Sequence, residues 1–120
     1  VIPQTQSRVG KYGRCFNACI ASILEIPEKS VPDFPDEDEA FGPAVQKYLA
    51  ERGIRYSQVP VGEVAPVGWH TIEGVSPRGG MHAVVGYNGS MVHDPHPQDG
   101  TGRGIEKPMY YGLFLQQEKE

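Results

Sequence analysis

No stretch of the sequence approaches the roughly 18 consecutive apolar residues that a membrane-spanning helix requires, so no such span is expected. The start Val1-Ile2-Pro3-Gln4 also lacks the charged-then-apolar order of a signal peptide. Basic clusters are missing too. Eleven Lys and Arg face 15 Asp and Glu, a net charge of -4, and no run of cations is present to neutralise a phosphate backbone. Neither nucleic acid nor membrane is expected as a partner, and a soluble, cytoplasmic protein is. Cysteine is scarce, with Cys15 and Cys19 the whole supply. Four residues apart on a helix, their side chains share a face but diverge from disulfide geometry. Without a C-x-x-C pair or a third cysteine, thiolate zinc cages are excluded.

Glycine and proline are abundant instead, at 15 and 11 of 120 residues, which excludes coiled coils and bundles of long helices. With 38% hydrophobic residues the chain can bury one core, and a single domain over residues 1–120 is expected.

Phe16, Cys19, Ile20, Ile23 and Leu24 recur at helical spacing. They predict a buried helix that starts near Gly13 and ends at or before Ile26, since Pro27 restricts the residue before it. The prolines at 32 and 35 predict a loop. A second helix is expected to begin in the acidic run 36–39, whose carboxylates complement the helix dipole, and to carry Phe41, Val45, Tyr48 and Leu49 inward. Gly53 should end it. Short apolar runs at 54–59, 67–75, 81–87, 90–94 and 109–115 then predict strands of one mostly antiparallel sheet. Residues 95–108 read as a loop and 116–120 as a frayed tail. Helices first and strands after give an α+β fold, with the helices on one side of the sheet.

Cys15 stands where a reactive thiol would be placed. The first turn of a helix presents unpaired N–H groups and the positive end of the dipole, which favour thiolate over thiol. The plainer alternative is a small core residue. Cys19, one turn deeper among apolar neighbours, reads as core. A nucleophilic cysteine needs a base, and His82 heads the run His82-Ala83-Val84-Val85-Gly86-Tyr87 directly after Gly79-Gly80. Asp94, at the end of the following strand, is the candidate to orient that base.

Whether Asp94 reaches His82 depends on the turn between the two strands. A two-residue loop at Asn88-Gly89 sets Tyr87 opposite Ser90 and turns Asp94 to the other face. A three-residue loop with Gly89 as a left-handed bulge residue sets Gly86 opposite Ser90 and His82 opposite Asp94. The second register is the one a triad requires, and it is the expectation taken forward. Gln6, nine residues before Cys15, could donate its amide to an oxyanion beside the Cys15 N–H, with Gln4 as its rival.

His93, Asp94, His96 and His82 raise a metal-site alternative. His93 and Asp94, as strand neighbours, point to opposite faces, and neither metal nor cofactor is expected. Trp69-His70 reads as a core tryptophan beside a histidine without an evident partner. The run Gly100-Thr101-Gly102-Arg103-Gly104 lacks the Lys and helix of a phosphate loop and reads as a flap beside the cleft.

The stretch from Gln6 to Phe34, above all Gly13-Arg14-Cys15-Phe16-Asn17-Ala18-Cys19-Ile20-Ala21-Ser22-Ile23-Leu24, resembles the Gln-to-Cys helix segment of papain-like cysteine peptidases. It is nearest to the double-glycine (C39-like) leader peptidases of bacteriocin exporters and to small phage and bacterial relatives. His82-Ala83-Val84-Val85 followed by Val92-His93-Asp94-Pro95 is similar to their second half. The resemblance covers about half of the chain, in the same order. It implies Cys15 as nucleophile, His82 as base, Asp94 as orienting residue and Gln6 as oxyanion donor. The chain departs from the leader peptidases at Arg14, where they usually carry Asp, and in the longer Gln-to-Cys spacing. The expected function is a cysteine hydrolase acting on an amide, peptide or isopeptide bond of a peptide or protein substrate. A non-catalytic peptide-binding module on the same fold and an acyl transferase are the alternatives.

Overall fold

The computed structural model describes residues 1–7, 14–34, 38–62, 65–77, 79–96 and 104–116. Two helices, α1 (Cys15–Leu24) and α2 (Asp38–Ala50), precede five strands. These are β1 (Ile54–Pro60), β2 (Trp69–Val75), β3 (Met81–Tyr87), β4 (Ser90–His93) and β5 (Lys107–Gln116). The strands form one sheet in the order β1-β5-β2-β3-β4 with every neighbouring pair antiparallel. The expected strands are all present, with β2 starting two residues later and β5 two residues earlier than the apolar runs suggested. Gly13, Asp36 and Glu37, most of the expected flap and the end of the tail lie outside the described residues.

α1 ends as Pro27 requires. Glu25 adopts a left-handed conformation, and its N–H and that of Ile26 both return to the Ala21 carbonyl. α2 is closed by Gly53, also left-handed, whose N–H bonds the Ala50 carbonyl at 3.0 Å. Pro43 lies within α2, past its first turn, and having no N–H it forgoes one ladder bond.

Phe16, Cys19 and Ile20 of α1 and Val45, Tyr48 and Leu49 of α2 meet Tyr56, Ala83 and Val85 of the sheet in one buried cluster. The Phe16 ring packs edge-on to Tyr56 with centroids 5.4 Å apart. Ile72, Val84 and Tyr111 form a second cluster, which Val59, Val61, Ile105 and Leu113 extend. Side chains alternate along β3 between the two clusters, so its residues from His82 to Gly86 are buried consecutively. Full burial of one such valine stabilises by about 1.5–3 kcal/mol relative to exposure.

The edge strand β1 is capped by a side chain. The Gln46 amide of α2 donates to the Tyr56 carbonyl and accepts the Tyr56 N–H, standing in for a further strand. Among the described residues no helix is long and apolar enough to cross a membrane.

Two sequence expectations need correction here. Trp69 is not core. It is 43% exposed and leans on its cross-strand partner Tyr87 with centroids 4.7 Å apart, the two rings covering each other at the end of the sheet. His70 does have partners and is fully buried. Its Nε2 accepts the Gly89 N–H at 2.9 Å, and its Nδ1 lies 2.9 Å from the Thr71 carbonyl oxygen. Gly86 makes room for that ring: a Cβ there would stand 2.4 Å from His70 Cε1 and 2.9 Å from Nδ1. Because both ring nitrogens are tied, the ring cannot easily withdraw. Gly86→Ala is expected to cost about 1–3 kcal/mol and lower the melting temperature by several degrees. An unchanged thermal transition would show that His70 is free to move.

Candidate active site

The three chemistry-bearing residues come from three elements that the sheet and α1 bring together. Cys15 is the first residue of α1 and is half-buried. Its predecessor Arg14 is the N-cap and offers no side-chain acceptor to the helix, so the first N–H groups keep no partner from that cap. The Arg14 guanidinium turns elsewhere. Nε donates to Glu28 Oε1, Nη1 to Asp33 Oδ1 at 2.7 Å, and Nη2 to the carbonyls of Glu28 (2.7 Å) and Val31. Glu28 also accepts from the Ser7 hydroxyl at 3.1 Å. A buried guanidinium with this set of partners fixes the residue immediately before the thiol.

His82 is buried at the head of β3, and its Nε2 lies 2.8 Å from Asp94 Oδ1. That leaves Nδ1 as the second ring nitrogen, and Cys15 lies near enough to the ring to act on its titration. Burial pulls the imidazole pKa down, but the bond to Asp94, the bond and charge of Cys15 and the charge of Asp94 together raise it from 6.5 to about 9. Asp94 shifts the other way. Burial opposes its ionisation, yet the His82 bond, the N–H groups of His96 and Gly104 and the His82 charge hold its carboxyl well below the usual range. The His96 N–H donates to Oδ1 at 2.8 Å and the Gly104 N–H to Oδ2 at 2.6 Å.

Asp94 does not arrive by the expected turn. Asn88 and Gly89 form a two-residue loop with φ of 52° and 91°, and Tyr87 pairs with Ser90. Tertiary contacts select it: Asn88 Oδ1 accepts the Gly68 N–H at 2.7 Å, the Asn88 N–H reaches the Gly68 carbonyl, and the Gly89 N–H is spent on His70. Uncorrected, that register would send Asp94 away from His82. The ladder then slips, from Gly86 opposite Met91 to Val85 opposite His93, leaving Val92 as the extra residue of a bulge. One residue of slip restores the parity, and Asp94 meets His82 after all.

Gln6 is buried, and its N–H bonds the carbonyl of Pro95, the residue after Asp94, at 2.9 Å. The side chain of Gln4 is committed elsewhere, its amide oxygen accepting the Glu28 N–H at 3.3 Å. His93 is drawn away from Asp94 as well, its Nε2 standing 2.6 Å from the Gln4 carbonyl oxygen. Cys19 is fully buried in the core, and burial first, then the charges of Cys15, Glu73 and Asp94, push its thiol well up.

Sequence reasoning missed Arg14 as an anchor and the two backbone donors to Asp94. The His96 donor had a local signal, because Asp side chains commonly accept the N–H two residues on. Gly104 had none, since only the folded chain brings it to Asp94. Compared with known proteins, the chain matches no family model, no curated protein and no solved structure.

Proposed function

We propose that the protein is a papain-like cysteine hydrolase of amide, peptide or isopeptide bonds, with Cys15 as nucleophile, His82 as base and Asp94 as the residue that orients it. One observation carries the reading: the buried His82 is bonded at Nε2 to Asp94, and Cys15, at the start of α1, is near enough to the same ring to raise its pKa. In this mechanism the thiol gives its proton to Nδ1 and the sulfur attacks the substrate carbonyl carbon. The carbon–nitrogen bond then breaks as the imidazolium returns that proton to the leaving amine. Water attacks the resulting thioester, giving its proton to the same nitrogen, and the acid is released as the thiol is re-formed. The Cys15 N–H, at the start of α1, and the Gln6 amide are the assigned oxyanion donors. Arg14, where leader peptidases usually carry Asp, serves in this chain as a clamp on the loop ahead of the nucleophile.

The test is competitive alkylation by iodoacetamide, followed by peptide mapping of both cysteines. Cys15 is expected to react about tenfold faster than Cys19 or more at neutral pH, because only Cys15 has both exposure and an imidazole partner. Equal rates, or faster labelling of Cys19, would remove the basis of the assignment.

A further inference from the structure

On the face of the sheet turned away from the helices, a cavity of about 360 Å³ adjoins the second buried cluster. Ile72 of β2, Val84 of β3, Met91 of β4 and Ile105 line it, and none of its lining residues is charged. Gly89 and Gly104, at φ of 91° and 83°, contribute backbone alone. One side chain breaks the apolar lining. Tyr111 is 8% exposed, and its ring packs edge-to-face on His70 with centroids 5.1 Å apart. Its hydroxyl stands 4.0 Å from where a Cβ on Gly89 would be, at the cavity. A phenol nine-tenths buried normally finds a hydrogen-bond partner. Among the described residues, none donates to this hydroxyl or accepts from it.

A cavity of roughly 150 Å³ houses one benzene ring, and small-molecule pockets start at roughly 300 Å³. The space beside Tyr111 therefore suits a molecule of about two fused rings. An ionised ligand would give up its hydration there with no charged side chain to compensate it, so the occupant is neutral. We propose that this cavity is a binding site for a neutral, mainly apolar molecule of that size, carrying one hydroxyl or carbonyl group that meets the Tyr111 hydroxyl. The site lies across the sheet from α1 and stands whether or not Cys15 is a nucleophile. It does border Asp94, because Gly104, which lines the cavity, also donates its N–H to Asp94 Oδ2 at 2.6 Å.

Titration of the 15N-labelled full chain with 2-naphthol, a neutral two-ring molecule with one hydroxyl, tests it by amide NMR. Additions up to about 2 mM should shift the Gly89 and Gly104 amides along one saturable curve, with a Kd of about 1 mM or tighter. Tyr111→Phe keeps the ring against His70 and removes only the hydroxyl, and should weaken binding by about 3–10-fold. Met91 is 48% exposed, so Met91→Trp has room to lay its indole over the cavity and should abolish the response of both glycines. Three results overturn the site: no saturable shift at Gly89 and Gly104 in the wild type, binding undiminished in Tyr111→Phe, or binding undiminished in a folded Met91→Trp. If Met91→Trp does not fold, the wild-type titration and Tyr111→Phe decide the matter alone. Shifts at the same two glycines on raising the protein concentration without naphthol would mean that a second copy fills the cavity, and would overturn it equally.

Discussion

Cys15→Ala is expected to abolish cleavage of peptide-amide substrates, a fall of about 10³-fold or more, while the fold stands. The loss follows from chemistry that Cys19 cannot take over. Cys19 is fully buried, its thiol is pushed well up by burial and then by neighbouring negative charges, and the imidazole is engaged by Cys15. The fold survives because Cys15 is a half-buried residue at the end of a helix, where removing one sulfur costs about 1 kcal/mol or less and moves the melting temperature by a few degrees. Cys19→Ala should show the converse. It opens a void among Phe16, Ile20 and Val85, costs about 1–3 kcal/mol, and leaves turnover intact below the lowered melting temperature. Thermal denaturation and a fluorogenic peptide-amide assay on both variants separate the two roles. Cleavage that persists in Cys15→Ala, or vanishes in a folded Cys19→Ala, would reassign the nucleophile.

How far the sequence could be read depended on the range of the forces involved. The face of α1, the Gly53 stop and the five strands rest on periodicity and backbone chemistry within a few residues, and all stand in the structure. The pairing of His82 with Asp94 was legible as residue types in order, but the route was not. Asn88-Gly89 suits both turns, and the choice was made by Gly68 and His70, some twenty residues earlier in the chain. Nothing in Met91, Val92 or His93 marks a bulge, since no glycine is present there to announce one. Arg14 was visible only as a departure from a resemblance, because its partners Glu28, Val31 and Asp33 converge through the fold. Trp69 was misread for a related reason: a large apolar side chain at a strand end is buried only if another element covers it, and the Tyr87 ring leaves it 43% exposed.

Asp94→Ala should lower the rate by about 10²–10⁴-fold without dislodging Cys15, and it should change how both activity and stability depend on pH. Asp94 contributes to His82 twice, through the bond to Nε2 and through its charge, against burial that pulls the other way. Removing it takes the imidazole pKa from about 9 down toward the ordinary 6.5, and the alkaline limb of the rate profile moves to lower pH with it. The stability consequence has a definite sign. A raised histidine pKa stabilises fully below the unfolded value of 6.5 and ceases to do so as pH rises through about 9. A depressed carboxyl pKa stabilises above the unfolded value of 3.8 and ceases to do so as pH falls through its lowered native value. The wild-type pair therefore stabilises most between these two unfolded values, from 3.8 to 6.5, and declines on either side. In Asp94→Ala the acid-side loss due to this carboxyl disappears and the decline above pH 6.5 flattens, leaving only what Cys15 still contributes to His82. Denaturant titrations across the pH range, run on both proteins, measure this directly. Identical pH dependence in the two would mean that Asp94 and His82 share no proton-linked interaction in solution, and the orienting role would pass to another residue.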